Sequence, residues 1–231
     1  TNFALDVSTI NLDRYLAPES ESLESDDIGN TELPVDTLRT LNIDGNINVG
    51  QLTYSGLKLE NITLAINASD GQLTLGPITA DLYEGSYSGD IRLSVSNDIP
   101  VASVDTSLTA INLAPLLQDF IDATYVSGTG NINLSLAGRG ADTATIKRNL
   151  NGTGSLDLQD GVLQGLDVGS VLEQVERMIR EQRPGTIARG QQTLFEHFSA
   201  NINVESGIVS TNDLLIESSG FDVSGSGTLV N

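Results

Sequence analysis

Apolar and polar residues alternate with a period of two along most of the 231 residues. Leu41, Ile43, Ile47 and Val49 fall on one side of an extended segment. Ile62, Leu64 and Ile66 form a second set, Ile91, Leu93 and Val95 a third, and Ile132, Leu134 and Leu136 a fourth. Phe198, Ala200, Ile202 and Val204 continue the series. The positions between them are mostly Asn, Thr, Ser and Asp, the pattern of an antiparallel sheet with one apolar and one wet face. Turn signals at Ser69-Asp70-Gly71, Glu84-Gly85, Asp160-Gly161 and Ser206-Gly207 punctuate the strands. In DGQLTLGPITADLYEGSYSGDIRL (70–93), Asp70-Gly71 and Glu84-Gly85 turn the chain and Gly76-Pro77 interrupts a strand. GSYSG then opens the strand that carries Ile91 and Leu93.

Three segments depart from this rhythm. Leu113, Leu116, Leu117, Phe120 and Ile121 are spaced for a helix over 113–121, with Asn112 as N-cap and Pro115 in the first turn. Residues 142–150 read as a short helix capped by Asp142. The longest helix is expected at 166–183, lined by Val168, Val171, Leu172, Val175, Met178 and Ile179. Its basic residues lie in the last turns, opposite the negative end of the helix dipole. Residues 17–37 are acidic, rich in Ser and without period, and read as a flexible linker. They separate residues 1–16, a strand from a preceding domain or a sheet edge, from a β-rich body at 38–231. The chain starts abruptly in strand-like sequence at Thr1–Ile10, which reads as a piece of something longer.

The body repeats itself. Ile62-x-Leu64-x-Ile66 matches Phe198-x-Ala200-x-Ile202, and at the same offset Gly71 matches Gly207, Ile78 matches Leu214, Gly89 matches Gly225 and Leu93 matches Leu229. GTGNINLSLAG (128–138) pairs with GTGSLDLQDG (152–161). The expected fold is mainly β with a few helices: an elongated, curved antiparallel sheet of repeating hairpins, partly covered by the three helices. About a dozen strands spaced by roughly 4.8 Å make such a sheet about 60 Å long.

Composition narrows the chemistry. The chain has no Cys and one His, so thiolate metal sites, disulfides and zinc centres are not expected. A net charge of −20 argues against nucleic acid as a partner. No apolar run is long enough to span a bilayer and no signal peptide is visible. GSYSG has Tyr87 where a nucleophile elbow needs Ser, and a strand, not a helix, follows it. His197 alternates out of phase with Phe198 and Ala200, which places it on the polar face and away from a triad in a cleft. NIDGN (42–46) lacks the spacing of a calcium loop. No catalytic residue, cofactor or metal is expected, and the protein reads as a surface, not an enzyme.

The segments FALDVSTINLDRYL, DGQLTLGPITADLYEGSYSGDIRL, INLAPLLQDF and GTGNINLSLAGRGADTATIKRNLNGTGSLDLQDGVLQGLDVGSVL, in that order, resemble the AsmA family of Gram-negative envelope proteins. The resemblance covers nearly all of 1–231, with the acidic linker its least typical part. It implies the C-terminal periplasmic part of a protein held in the inner membrane by an N-terminal helix. It also implies a long β-groove and a role in outer-membrane biogenesis, through phospholipid supply or outer-membrane protein assembly.

Two functional classes follow. The first is a conduit in which phospholipid or another acyl lipid lies along an apolar groove. Its candidate lining is Ile43, Ile47, Val49, Ile62, Leu64, Ile66, Ile91, Leu93, Val95, Ile132, Leu134 and Leu136. The second is a scaffold that docks envelope proteins on sheet edges or loops. Arg177, Arg180, Arg183 and Arg189 are candidates for contact with anionic headgroups or an acidic partner.

Overall fold

A computed structural model describes residues 1–14, 33–165, 180 and 192–229. Eleven strands form one sheet in strict sequence order. They are β1 (Asn2–Asn11), β2 (Ile43–Tyr54), β3 (Leu57–Ser69), β4 (Gln72–Leu82), β5 (Gly85–Ser94) and β6 (Val101–Asn112), then β7 (Val126–Arg139), β8 (Asn151–Gln164), β9 (Gln192–Glu205), β10 (Ile208–Ser218) and β11 (Phe221–Leu229). The sheet is curved and unclosed, with β1 and β11 at its two edges. Every pairing is antiparallel except β1 with β2, so residues 1–14 form the edge of the same sheet. Ten interstrand steps of about 4.8 Å make it about 48 Å across the strands.

The hairpins explain the order. Ser55-Gly56, Asp70-Gly71 and Ser206-Gly207 all have two consecutive left-handed residues, the backbone that joins twisted strands through two-residue turns. Two expected turns are corrected. Tyr83 and Glu84 take the left-handed positions, so that turn lies one residue earlier than Glu84-Gly85. Asp160-Gly161 is not a turn: Asp160, at φ 51°, lies inside β8, where the extra residue forms a bulge against β7. Gly76-Pro77 does interrupt the ladder, as a register shift between Leu75 and Ile78 within a continuous β4.

The sequence repeat is also a repeat of structure. β10 begins and ends at positions matching the ends of β4. The β10–β11 ladder shifts between Thr211 and Leu214, the counterparts of Leu75 and Ile78.

Three α-helices are described: α1 (Val35–Thr40), α2 (Leu113–Ile121) and α3 (Thr143–Arg148). α1 begins within the stretch read as linker; residues 17–32 of that stretch lie outside the described residues. The helix expected at 166–183 also lies outside them, apart from Arg180, which is helical and exposed. Asp142 caps α3 as expected, its Oδ1 accepting from the Thr145 amide at 2.7 Å. That hydrogen bond holds its carboxyl below the usual carboxylate range. Asn112 occupies the N-cap of α2 but makes no side-chain capping bond.

The helices sit at the two rims where strands end. α2 lies at the rim formed by the β2–β3 and β4–β5 turns. There Leu113 packs with Leu158, Phe195 and Ile216, joined by Leu116 and Leu117. Phe120 and Ile121 are not part of that core; the packing is made by the earlier turns, and both are more than half exposed. Asp119 ties α2 to the turns, accepting from Lys58 Nζ at 2.8 Å and from the Tyr83 hydroxyl at 2.9 Å. α1 and α3 lie at the opposite rim. Arg39 Nε of α1 donates to the Val95 carbonyl at 3.1 Å, and the Leu33 amide reaches the Ala141 carbonyl at 3.5 Å.

Candidate functional site

Residues directly opposite each other on paired strands project to the same face. One row can therefore be followed across the whole sheet. It runs Phe3, Gly45, Ile66, Leu75, Ile91, Val104, Leu136, Gly152, Val204, Val209, Leu229. Each of the eleven strands contributes one residue, and each residue is apolar or glycine. The next row on this face runs Leu5, Ile47, Leu64, Ile78, Gly89, Thr106, Leu134, Gly154, Ile202. Thr106 alone is polar, and its hydroxyl is buried without a hydrogen-bond partner.

These rows form a continuous apolar strip across the strands. Among the described residues it is not a sealed core. Leu5 is 48% exposed and Ile91 37% exposed, while Ile47, Leu64, Val104, Leu134 and Leu136 are half-buried. The described helices pack near the rims, so the middle of the face carries no helix among the described residues.

The opposite face is its chemical inverse. Asp6, Asn48, Thr63, Thr79, Ser88, Ser107, Asn133, Ser155 and Asn201 follow one another across nine strands. Many pair along the row: Asn48 with Asp6 at 2.8 Å, Thr63 with Thr79 at 2.7 Å, and Asn133 with Ser107 at 2.8 Å and Ser155 at 3.2 Å. A depression of about 1000 Å³ opens here, lined by Ser88, Asp105, Ser107, Asn133, Ser155 and Asn201 among others. It is roomy, but an alkyl chain placed there would strip water from hydroxyls, amides and carboxylates without replacing their hydrogen bonds. The apolar face is the better match to an apolar ligand.

His197 lies on the polar face, as its phase predicts. Its Nε2 is 2.9 Å from Asp157 Oδ2 and its Nδ1 2.8 Å from Glu217 Oε2. Neutral imidazole has one N–H and satisfies only one of them. Hydrogen bonding to Asp157 and then to Glu217 therefore raises the His197 pKa above its usual value. Among the described residues no cluster of three His, Asp or Glu side chains could hold a metal ion.

The register places all the expected lining residues within β2, β3, β5 and β7 on the apolar face. Val95 lies just beyond β5, is 0% exposed and is held by Gly71 and Arg39, so it supports the rim and offers no surface. Ile62 is buried as well, and Ile132 packs into the core under α2. Sequence reasoning missed Phe3 and Leu5 of β1, Leu75 and Ile78 of β4, and Val104 of β6. β4 hides its face because the Gly76-Pro77 bulge breaks the period, and β6 because Ser, Asp and Thr dilute it. Of the four expected arginines, Arg177, Arg183 and Arg189 lie outside the described residues.

An open, curved sheet with one continuous apolar face and one polar face, with short helices at its rims, defines a two-faced β-meander. The AsmA family model matches residues 9–214, and the chain belongs to the AsmA family. No curated protein and no solved structure matches it. Among the described residues no helix is long and apolar enough to cross a membrane.

Proposed function

We propose that this chain carries the acyl chains of phospholipid along the apolar strip, without catalysis, as the periplasmic part of a protein attached to the inner membrane by an anchor outside these residues. In this reading it serves outer-membrane biogenesis by conducting lipid between the inner and outer membranes. The observation that carries the reading is the row from Phe3 to Leu229, apolar or glycine on all eleven strands. Each acyl CH₂ exposed to water costs about 0.8 kcal/mol, so a two-chain lipid leaving a bilayer unaided loses on the order of 20 kcal/mol. A row that never turns polar removes most of that cost at every step, and the headgroup stays in water beyond the strip. Leu, Ile and Val suit the task because they make contact without fixing direction. Family membership supports the envelope setting.

The test is the double change Leu64→Asp with Leu93→Asp, two half-buried positions on the apolar face, in protein whose circular dichroism and melting remain cooperative. Phospholipid binding and transfer between vesicles should fall at least tenfold. Thr63→Asp on the polar face should leave both unchanged. Undiminished transfer by the folded double variant would overturn the proposal.

A further inference from the structure

The polar depression is built as a regular lattice. Two rows of polar side chains bound it. The first is Ser88, Ser107, Asn133, Ser155 and Asn201, on β5 to β9. The second begins at Asp90 and Asp105, passes Ser135, Thr153 and Asn203, and reaches Thr228 on β11. Rungs within a row are about 4.8 Å apart, and the rows are about 7 Å apart, two residues along a strand. The floor between them is backbone: Gly89 and Gly154 have no side chain, and Leu134 and Ile202 turn theirs to the apolar face.

Hydrogen bonds within the first row fix its orientation and leave capacity over. Ser107 Oγ donates to Asn133 Oδ1 at 2.8 Å, and Asn133 Nδ2 donates to Ser155 Oγ at 3.2 Å. The Ser155 hydroxyl proton, the second Asn133 N–H and the lone pairs of Ser107 remain for a ligand. One Asn201 N–H goes to Asp213 at 2.6 Å, which leaves Asn201 Oδ1 as an acceptor. Ser88, Thr153 and Thr228 make no side-chain hydrogen bond among the described residues. Charge narrows the choice of ligand. No Lys, Arg or His lines the depression. Arg92 beside it is already held by Asp90 and, at 3.1 Å, by Asp105. No cation is left for a phosphate or carboxylate, and the two aspartates repel one. What fits is neutral, rich in hydroxyls and repeated at the spacing of the rungs.

We propose that the polar depression binds a linear neutral oligosaccharide lying across the strands, each hexopyranose ring bridging the two rows. A pyranose ring in an extended chain advances by close to one interstrand step, so successive rings meet successive pairs of rungs. The volume of about 1000 Å³ is at the upper end of ligand cavities and has room for a short oligomer. No aromatic side chain lines it, so binding rests on hydrogen bonds and strengthens with chain length. The inference stands independently of what the apolar face carries.

The experiment uses the 231-residue chain with cellohexaose, mannohexaose and chitohexaose, each beside its monosaccharide, followed by NMR. At least one hexasaccharide should bind saturably and at least tenfold more tightly than its monosaccharide, with shift changes centred on Ser107, Asn133, Ser155 and Asn201. Asn133→Leu should weaken it at least tenfold and leave the melting temperature unchanged, because the position is exposed. Thr63→Val, on the polar face outside the depression, should leave binding unchanged. Failure of all these sugars to bind, equal affinity for the monosaccharide, shifts on the apolar face, an indifferent Asn133→Leu, or tighter binding of oligogalacturonate or spermine would each overturn the proposal. So would Overhauser contacts from another segment of the chain to Asn133 in the free protein, which would show the depression already filled.

Discussion

His197 gives the sharpest test of the polar face. It joins three adjacent strands through Asp157 on β8 and Glu217 on β10, at 2.9 and 2.8 Å. Only imidazolium donates to both, and hydrogen bonds to Asp157 and Glu217 raise its pKa above the ordinary value. A group whose folded pKa is raised stabilises fully below its unfolded pKa, about 6.5, and loses that contribution as pH rises through the folded pKa. The carboxylates are nearly half exposed, so solvent screening limits each pair to a fraction of a kcal/mol and the bridge to about 1 kcal/mol. For a chain of this size that is about 2–4 °C in melting temperature. Wild type and His197→Gln should therefore differ by a few degrees at pH 6 at low salt, and the difference should fade toward pH 9. Because this is the sole histidine, its proton NMR titration needs no assignment and should report a midpoint above 6.5. A midpoint at or below 6.5, or a melting difference that does not change with pH, would refute the reasoning.

Two further outcomes bear on the fold. Leu158 is 1% exposed and touches the α2 core, so Leu158→Ala should cost about 2–5 kcal/mol, read by urea unfolding. Gly89→Ala should destabilise by about 1–3 kcal/mol, because β5 and β6 must separate to admit the new methyl, and calorimetry should show a lowered melting temperature.

The two faces were legible from sequence because a strand's side chains alternate with a period of two. A residue such as Ile47 or Leu134 declares its side without knowledge of its neighbours. Strand order was legible only indirectly: Ser206-Gly207 and Asp70-Gly71 announce hairpins, and a chain of hairpins gives a meander. Asp160-Gly161 has the same composition but forms a bulge, since left-handed backbone also suits an extra residue inside a ladder. The full extent of the apolar strip was hidden for a different reason. It depends on register between strands, and glycines such as Gly45 and Gly152 belong to the apolar row without any hydrophobic signature. Burial of Val95 was likewise unreadable, because it arises from Arg39 and Gly71, both distant in sequence.

The central claim is that acyl chains lie on the apolar face and not in the polar depression. The chain has no Cys, so a single fluorophore can be placed at Ile91→Cys in the apolar strip or at Ser107→Cys on the polar face. The measurement is quenching of each by phospholipid carrying a nitroxide on its acyl chain. The account predicts saturable quenching at position 91 and little at 107. Equal quenching at both positions, or stronger quenching at 107, would contradict it.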